Sequence, residues 1–320
     1  MAVPNLSTST TQYTKPPKSL WREIWKYRWC YLFMLPSLIL TGMFTFYPIF
    51  ASWYFAFLDW SGFTATRDFI GIGNFQEVIG DNLFWGAFRR SLIFTAISVP
   101  IQMLLSLIVA IVLNDKALKL APVFRTFFFI PVVTTTAIVG IVMSFIFSPF
   151  NGPINGILVD LGIVSRPIDF LGSAATSLWT VIGVFIWKWF GITMIYWLAS
   201  LQTVPSDLYE AARLDGAGRW ELFRYIIFPL LVPFSIVILL ITVVSSLNVF
   251  ALVQTMTAGG PFYSSEVMEV YIYRTAFGTS GSVPRLGYAS AAGVFFGIAV
   301  MIITVLQGLA VRGMRERQAS

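Results

Sequence analysis

Six stretches of this chain are apolar and long enough to cross the hydrocarbon core of a membrane, which takes about 20 helical residues. They lie at 31–52, 91–113, 123–147, 178–200, 228–251 and 287–310. Hydrophobic residues make up 57% of the chain and charged residues only 11%, and a soluble protein of this length could not bury so much apolar surface. The sequence therefore predicts an all-α integral membrane protein with six transmembrane helices.

Positively charged residues indicate how these helices are oriented. Fourteen Lys and Arg residues belong to the two tails and the second and fourth connections, whereas six belong to the opposite side. Because cytoplasmic segments carry the excess of positive charge, both termini are predicted to be cytoplasmic. The net charge of +6 is then explained by topology, and nucleic acid is not an expected partner. A polar start and a long first apolar segment do not fit a cleavable signal, so the first span is expected to remain as an anchor.

The connection at 205–229 is a polar island between the fourth and fifth spans. Asp207 is expected to cap a short helix whose third position is Glu210, an arrangement close to a capping box. Gly216 is expected to end that helix in the left-handed conformation. A second short helical stretch around Trp220 then leads back toward the bilayer, and two prolines fall at the start of the next span. This connection is predicted to be a bent, helical plug.

The same residues resemble the EAA signature of permease subunits in binding-protein-dependent ABC importers. That pattern runs Glu-Ala-Ala, three residues, Gly, nine residues, Ile, one residue, Leu-Pro, and the chain matches it from Glu210 to Pro229 except that Phe228 replaces Leu. Further segments are similar to carbohydrate-uptake permeases of the maltose and glycerol-phosphate type: 70–75, 125–131, and 257–261 with Tyr271, Tyr273, Arg274 and Phe277.

The resemblance implies the type I ABC importer permease fold, with the EAA coupling loop 205–229 on the cytoplasmic side between helices 4 and 5. We place the transmembrane domain at 30–311, between cytoplasmic tails at 1–29 and 312–320, in the plasma (inner) membrane of a prokaryote. The implied partners are a second homologous permease subunit, two ATP-binding subunits and an extracytoplasmic solute-binding protein. The residues expected to couple this chain to an ATP-binding subunit are Glu210, Ala211, Ala212, Leu214, Asp215 and Gly216.

Residues for catalysis or metal binding are scarce. The chain has one cysteine, Cys30, and no histidine, which removes an internal disulfide and the commonest transition-metal ligand. It has no GxxxxGK(S/T) sequence, so it lacks a standard nucleotide-binding P-loop. We therefore expect no catalytic site, no metal site and no cofactor bound by this chain, with ATP and Mg used by the partner subunits.

The cargo path is predicted by resemblance to maltose-type permeases, whose sugar contacts come from the fourth and fifth spans. The matching positions are Phe185, Lys188, Trp189, Ile192, Thr242, Ser246 and Asn248. Aromatic rings and polar groups of this kind suit a polyhydroxylated ligand, but the last three also suit hydrogen bonds between helices. A charge at the middle of a span costs roughly 2.5–3.5 kcal/mol on insertion scales, so Lys188 either faces a cavity or snorkels to the interface beside its two tryptophan neighbours.

The implied cargo is a sugar, oligosaccharide or glycoside, and two other functions remain open. The same machinery could import glycerol phosphate or another organic anion, with Lys188 as the attracting charge. An ion-coupled secondary transporter is the least favoured, because the EAA pattern is nearly complete and acidic residues inside the spans are few.

Overall fold

The computed structural model describes residues 25–115, 117–278, 281 and 283–319, so residues 1–24 of the predicted N-terminal tail lie outside the described part. The described residues divide into two compact units, with the boundary after Ala51. Two short strands, β1 (Leu58–Asp59) and β2 (Asp68–Phe69), pair antiparallel. The described helices are α1 Arg28–Thr41, α2 Tyr47–Phe55, α3 Gly73–Gly80, α4 Asn82–Leu113, α5 Ala121–Val133, α6 Thr136–Ile146, α7 Pro153–Asp160, α8 Ser177–Leu201, α9 Ser206–Leu214, α10 Arg219–Leu222, α11 Phe228–Leu247, α12 Phe250–Met256, α13 Met268–Phe277 and α14 Leu286–Ala319.

Five helical segments in the described part are long and apolar enough to cross a membrane, and a bent pair of helices brings the number to six. The five are Arg28–Phe55, Asn82–Leu113, Ser177–Leu201, Trp220–Leu247 and Leu286–Leu309. The second span begins well before the predicted residue 91, because Asp81 caps helix α4 by accepting a hydrogen bond from the Leu83 N–H at 2.7 Å. The last helix continues to Ala319, past the predicted end of the span at 310.

The third predicted span, 123–147, is wrong as a single straight helix. Helices α5 and α6 are separated by Thr134 and Thr135, and their axes differ by 98°. Both threonines have extended backbone angles, with ψ of 138° and 129°. Pro131 lies within α5 and removes a helical N–H, and the β-branched residues that follow have reduced helix propensity. The apolar stretch is therefore continuous in sequence but broken in structure.

The fifth predicted span, 228–251, differs from the structure at both ends. A π-helical turn, Phe223–Ile227, joins α10 to α11, so the helical path begins before the two prolines. At the other end α11 stops at Leu247, and the chain leaves helical geometry at Asn248 and Val249 before α12 resumes at Phe250. The fifth span therefore ends at Leu247, and α12 follows it as a separate short helix.

Helix α8 is the centre of the unit formed by residues 52–320, and α4, α5 and α11 all pack against it. Gly191 permits a close approach of α5, because a Cβ atom placed there would lie 2.0 Å from the carbonyl oxygen of Phe128 in that helix. The amphipathic helix α3 is anchored by Asn74, whose buried amide donates to the carbonyls of Ala56 and Leu58 at 3.0 and 2.8 Å. These contacts fix the helices that hold the predicted path residues.

Candidate coupling surface and cargo path

Helix α9 is the first part of the predicted coupling loop. It begins at Ser206, so Asp207 lies in the first turn and not at the N-cap position expected from the sequence. The residue before the helix is Pro205, whose carbonyl accepts a hydrogen bond from the Leu208 N–H at 3.3 Å. A carboxylate in the first turn still interacts favourably with the positive end of the helix. The predicted helix is present, but its cap was misplaced.

The end of α9 has the predicted left-handed glycine. Gly216 has φ of +81°, and the Ala217 N–H donates to the Ala212 carbonyl at 2.9 Å, which is the longer hydrogen bond of a Schellman helix end. The chain then starts α10, where the Glu221 carboxylate accepts a hydrogen bond from the Gly218 N–H at 2.7 Å, half of a capping box. Two short helices joined by a sharp turn form the connection.

Most of the predicted coupling residues lie at the surface of the chain. The exposed ones are Glu210, Ala211, Leu214, Asp215 and Gly216. Leu214, at the end of the helix, is 89% exposed. Ala212 is only 7% exposed and packs in a cluster that includes Leu201, Leu222 and Ile227. Ala212 therefore anchors α9 to the ends of the spans, while the other residues face outward.

Two further residues of this connection were not selected from the sequence as coupling residues. Trp220 is 70% exposed and Tyr225 is 75% exposed, so both present aromatic surface beside the plug. Large aromatic residues in a charged connection were the available signal, because exposed aromatic side chains are common in protein interfaces. They extend the candidate coupling surface beyond the EAA residues.

The predicted path residues fall into two groups. Four are buried within this chain, with exposed fractions of 1–3%: Phe185, Lys188, Thr242 and Ser246. The ring of Phe185 packs edge-on against Phe94 with centroids 5.1 Å apart, and the Ser246 hydroxyl donates to Thr95 Oγ1 at 3.0 Å. Trp189 and Ile192 are partly exposed and Asn248 is exposed, so these three side chains keep part of their surface outside the packed interior of the chain.

Lys188 has its partners inside the chain. Its ammonium group donates to the carbonyl oxygens of Pro131, Val132 and Thr134 at 3.0, 3.4 and 2.7 Å, and it lies 4.7 Å from the centre of the Trp189 ring. The first two carbonyls belong to the last turn of α5, and the third belongs to the break between α5 and α6. With an exposed fraction of 1%, the side chain does not snorkel to an interface. In this structure Lys188 caps a broken helix.

A second polar cluster joins the start of α4 to α13 and α14. The Asp81 carboxylate accepts hydrogen bonds from the hydroxyls of Tyr271 and Tyr288 at 2.5 and 2.7 Å. Burial alone would raise the pKa of Asp81, but the hydrogen bonds from both tyrosines hold that pKa below its usual value. Burial, with the hydrogen bond to the carboxylate, raises the pKa of Tyr271. Sequence reasoning noted Tyr271 only within a family segment and missed this cluster.

Two ion pairs lie near the same helices. Arg285 forms a bidentate pair with Glu77, with both N–O distances 2.6 Å, and the hydrogen bond from Arg285 lowers the pKa of Glu77. Glu266 is 0% exposed and pairs with Arg274 at 2.6 Å, while its carbonyl accepts from the Arg90 side chain at 2.8 Å. These bonds fix the segment after the Gly-Gly-Pro turn. The described residues contain no cluster of His, Cys, Asp or Glu that could hold a metal ion.

Residues 78–316 match the model of a protein family described as the binding-protein-dependent transport system inner membrane component. The chain belongs to this family. It is similar to the probable ABC transporter permease protein YurN of Bacillus subtilis, with 34% identity over 278 residues that cover 87% of this chain and 94% of that protein. It is also similar to the lactose transport system permease protein LacF of Rhizobium radiobacter, with 31% identity over 290 residues, 90% of this chain and 94% of that protein.

The fold agrees with a solved structure. The chain is similar to one in the crystal structure of a bacterial ABC transporter involved in the import of the acidic polysaccharide alginate. The two chains align with a TM-score of 0.79 at 24% sequence identity, and the alignment covers 92% of this chain and 98% of that chain. The type I importer permease fold predicted from the sequence is therefore confirmed. The protein is a multi-pass permease subunit of an ABC transport system, and the whole EAA segment lies within the family match.

Proposed function

We propose that this permease forms half of the translocation pathway of an ATP-driven importer for a sugar, oligosaccharide or glycoside. A second homologous permease subunit supplies the other half, two ATP-binding subunits hydrolyse ATP with Mg, and an extracytoplasmic solute-binding protein delivers the cargo. Both termini and the 205–229 connection lie in the cytoplasm. The chain itself binds no cofactor and does no covalent chemistry.

The observation that carries this proposal is the form of helix α9. The helix is anchored at its inner face by Ala212, ends in a sharp turn at Gly216, and leaves Leu214 89% exposed at its tip. A short helix that presents apolar and acidic side chains fits a groove on a partner protein. Glu210, which is exposed, is positioned on this helix to accept charge-assisted hydrogen bonds from an ATP-binding subunit.

A neutral cargo is favoured over an anionic one by the environment of Lys188. The anionic alternative depends on a free positive charge in the path, but this ammonium already donates to three backbone carbonyls. Trp189 and Asn248 supply the ring surface and the amide that a hydroxylated ligand requires.

The coupling role is tested with substitutions at the turn. Gly216 has a positive φ with no atom within 4 Å of an added Cβ, whereas a Cβ at Gly218 would meet only Glu221 Oε2, at 3.6 Å. Gly216→Val should therefore abolish uptake through backbone strain alone, Gly216→Asn should retain part of it because asparagine tolerates this conformation, and Gly218→Ala should transport normally. The measurement is ATP-driven uptake by the complete complex in proteoliposomes.

Charge reversal is the second arm of this test. Glu210→Lys should abolish uptake while leaving membrane insertion intact, because it places a positive charge where a charge-assisted bond is proposed. Normal transport by both Glu210→Lys and Gly216→Val would show that α9 does not couple the subunits. The cargo class is tested separately by uptake of neutral oligosaccharides and of glycerol phosphate in the presence of the solute-binding protein, and preferential accumulation of the phosphate would contradict the neutral assignment.

A further inference from the structure

The third span is broken, and the fifth span is followed by two non-helical residues, Asn248 and Val249. At each of these breaks in the helical backbone a charged side chain from another helix binds backbone groups. Lys188 of α8 binds carbonyls at the end of α5 and in the break between α5 and α6. Glu269 of α13 accepts a hydrogen bond from the Phe250 N–H, at the start of α12, at 2.6 Å. The positively charged Lys188 thus binds backbone carbonyls, which accept hydrogen bonds, and the negatively charged Glu269 binds a backbone N–H, which donates one. The charge of each side chain suits the backbone group that it binds.

Most of the carbonyl groups at the end of α5 have a hydrogen-bond donor. The end of a helix leaves its last four carbonyls without helical donors. Here the Ile130 carbonyl accepts from the Thr134 hydroxyl at 3.3 Å, and those of Pro131 and Val132 accept from Lys188. Irregular backbone at membrane depth is tolerated only where the protein satisfies its polar groups. Lys188 therefore makes this break possible inside a span.

Close backbone packing places Lys188 within reach of these carbonyls. A Cβ atom at Gly191, about one turn after Lys188, would lie 2.0 Å from the Phe128 carbonyl oxygen and 3.1 Å from Phe129 Cα. The same atom at Gly183, on the same helix, would have no neighbour within 4 Å. The two glycines provide a matched pair, since only Gly191 holds α5 against α8.

The helices that follow these two breaks, α6 and α12, pack directly on each other. A Cβ atom at Gly140 of α6 would lie 1.8 Å from Thr255 Oγ1 and 3.4 Å from the Leu252 carbonyl of α12. Both helices also share an apolar cluster with Phe185 of α8. Helices α6 and α12 thus form one packed pair, which we call the paired helices.

We infer that Lys188 and Glu269 are positioning residues that hold the paired helices in place, and that transport requires this placement. This rests on the proposed function, in which Trp189 of α8 and Asn248, directly after α11, contact the cargo. Lys188 acts through the backbone between α5 and α6 and does not contact the cargo. Its loss should therefore lower the transport of every cargo by the same factor, without changing the preference between neutral and anionic ligands.

The direct test is a distance measurement in the complete complex, reconstituted in nanodiscs on a Cys30→Ser background. Spin labels replace Ile141 of α6 and Trp179 of α8, which are 49% and 54% exposed. Lys188→Met should shift or broaden the distance distribution between the labels, and Lys188→Arg, which keeps the charge and the donors, should restore it. Gly191→Ala should reproduce the effect of Lys188→Met, while Gly183→Ala should match the wild type.

Transport kinetics provide the second readout. Because buried carbonyls without donors are costly, Lys188→Met should lower the maximal rate by about tenfold or more, with KM unchanged. Glu269→Leu should give the same pattern, and Glu269→Gln, which still offers an acceptor to the Phe250 N–H, should recover much of the rate.

Three results would overturn the inference. The first is an unchanged label distance in Lys188→Met, and the second is a KM change confined to one class of cargo, which would make Lys188 a cargo contact. The third result applies if the Lys188→Met complex does not assemble. It is a label distance and an uptake rate equal to those of the wild type in both Gly191→Ala and Glu269→Leu. The distances do not depend on which ligand is supplied, so a failure to transport any sugar would count against the proposed function and not against this role of the two residues.

Discussion

Replacing Tyr288 with phenylalanine removes one of the two hydroxyl groups that bind the Asp81 carboxylate. The bond that is lost measures 2.7 Å, and the Tyr288 side chain is 4% exposed. The Tyr271 hydroxyl keeps its own bond to Asp81 and loses its 2.9 Å contact with the Tyr288 hydroxyl. Each tyrosine has one hydroxyl proton, which it donates to the carboxylate, so the main loss is one hydrogen bond to a charged group. Such a bond contributes about 1.5–3 kcal/mol. Local opening of the segment that joins α13 and α14 to Asp81 should become easier by that amount, which corresponds to about 10- to 150-fold faster amide exchange.

Hydrogen exchange measured by mass spectrometry on the complete complex checks this, using peptides that cover α13 and the first turns of α14. Tyr273→Phe is the matched control. The Tyr273 ring packs between Phe250 and Phe277 at 4.9 and 5.1 Å, and its hydroxyl bonds to none of the described residues. Exchange should be unchanged in the control. A wild-type rate in Tyr288→Phe, or an equal increase in Tyr273→Phe, would refute the assignment of this stability to the carboxylate.

Protonation of Asp81 should open the same cluster only in strong acid. The pKa of Asp81 is held below its usual value of about 3.9. The contribution of Asp81 to stability is therefore complete above that pH and is lost as the pH falls through the lower pKa of the folded state. Amide exchange rates of this segment, corrected for the intrinsic effect of pH, should be the same at pH 7 and pH 5. Faster corrected exchange at pH 5 would count against the lowered pKa of Asp81. Gly287→Ala should lower the melting temperature of the complex, because the added Cβ would lie 2.0 Å from the Leu58 carbonyl oxygen. The control is Gly297→Ala, whose added Cβ would have no atom within 4 Å, and which should melt like the wild type. Equal melting temperatures for the two variants would show that the close approach at Gly287 is unimportant. A reporter fused after Leu214 should be active only in its cytoplasmic form, and periplasmic activity would contradict both the topology and the coupling role.

The spans and the coupling loop were predictable because their signals are local. Hydropathy over some twenty residues locates a span, and the left-handed Gly216 follows from its place after a short helix. The break at Thr134 and Thr135 was missed for the same reason: both halves are apolar, so a hydropathy window passes over the break. Pro131 was the available warning, but prolines are common in membrane helices and mark a break only in combination with other features.

The role of Lys188 could not be read from its own span. Its charge indicated a buried partner, and the alternatives considered were a cavity and an interface. The actual partners are backbone carbonyls of a different span, freed by a break that the sequence did not reveal. The cluster at Asp81 was missed on similar grounds, because the Tyr271 hydroxyl that binds it comes from a residue 190 positions away.

The central claim is that the tip of helix α9 contacts an ATP-binding subunit, and site-specific photo-crosslinking tests it most directly. A photoreactive amino acid is placed at Leu214, which is 89% exposed, and at Leu161, which is 69% exposed and lies in the connection between the third and fourth spans. Irradiation of the assembled complex should link position 214 to an ATP-binding subunit and should give no such adduct from position 161. An adduct to that subunit from position 161, or its absence at position 214, would contradict the account.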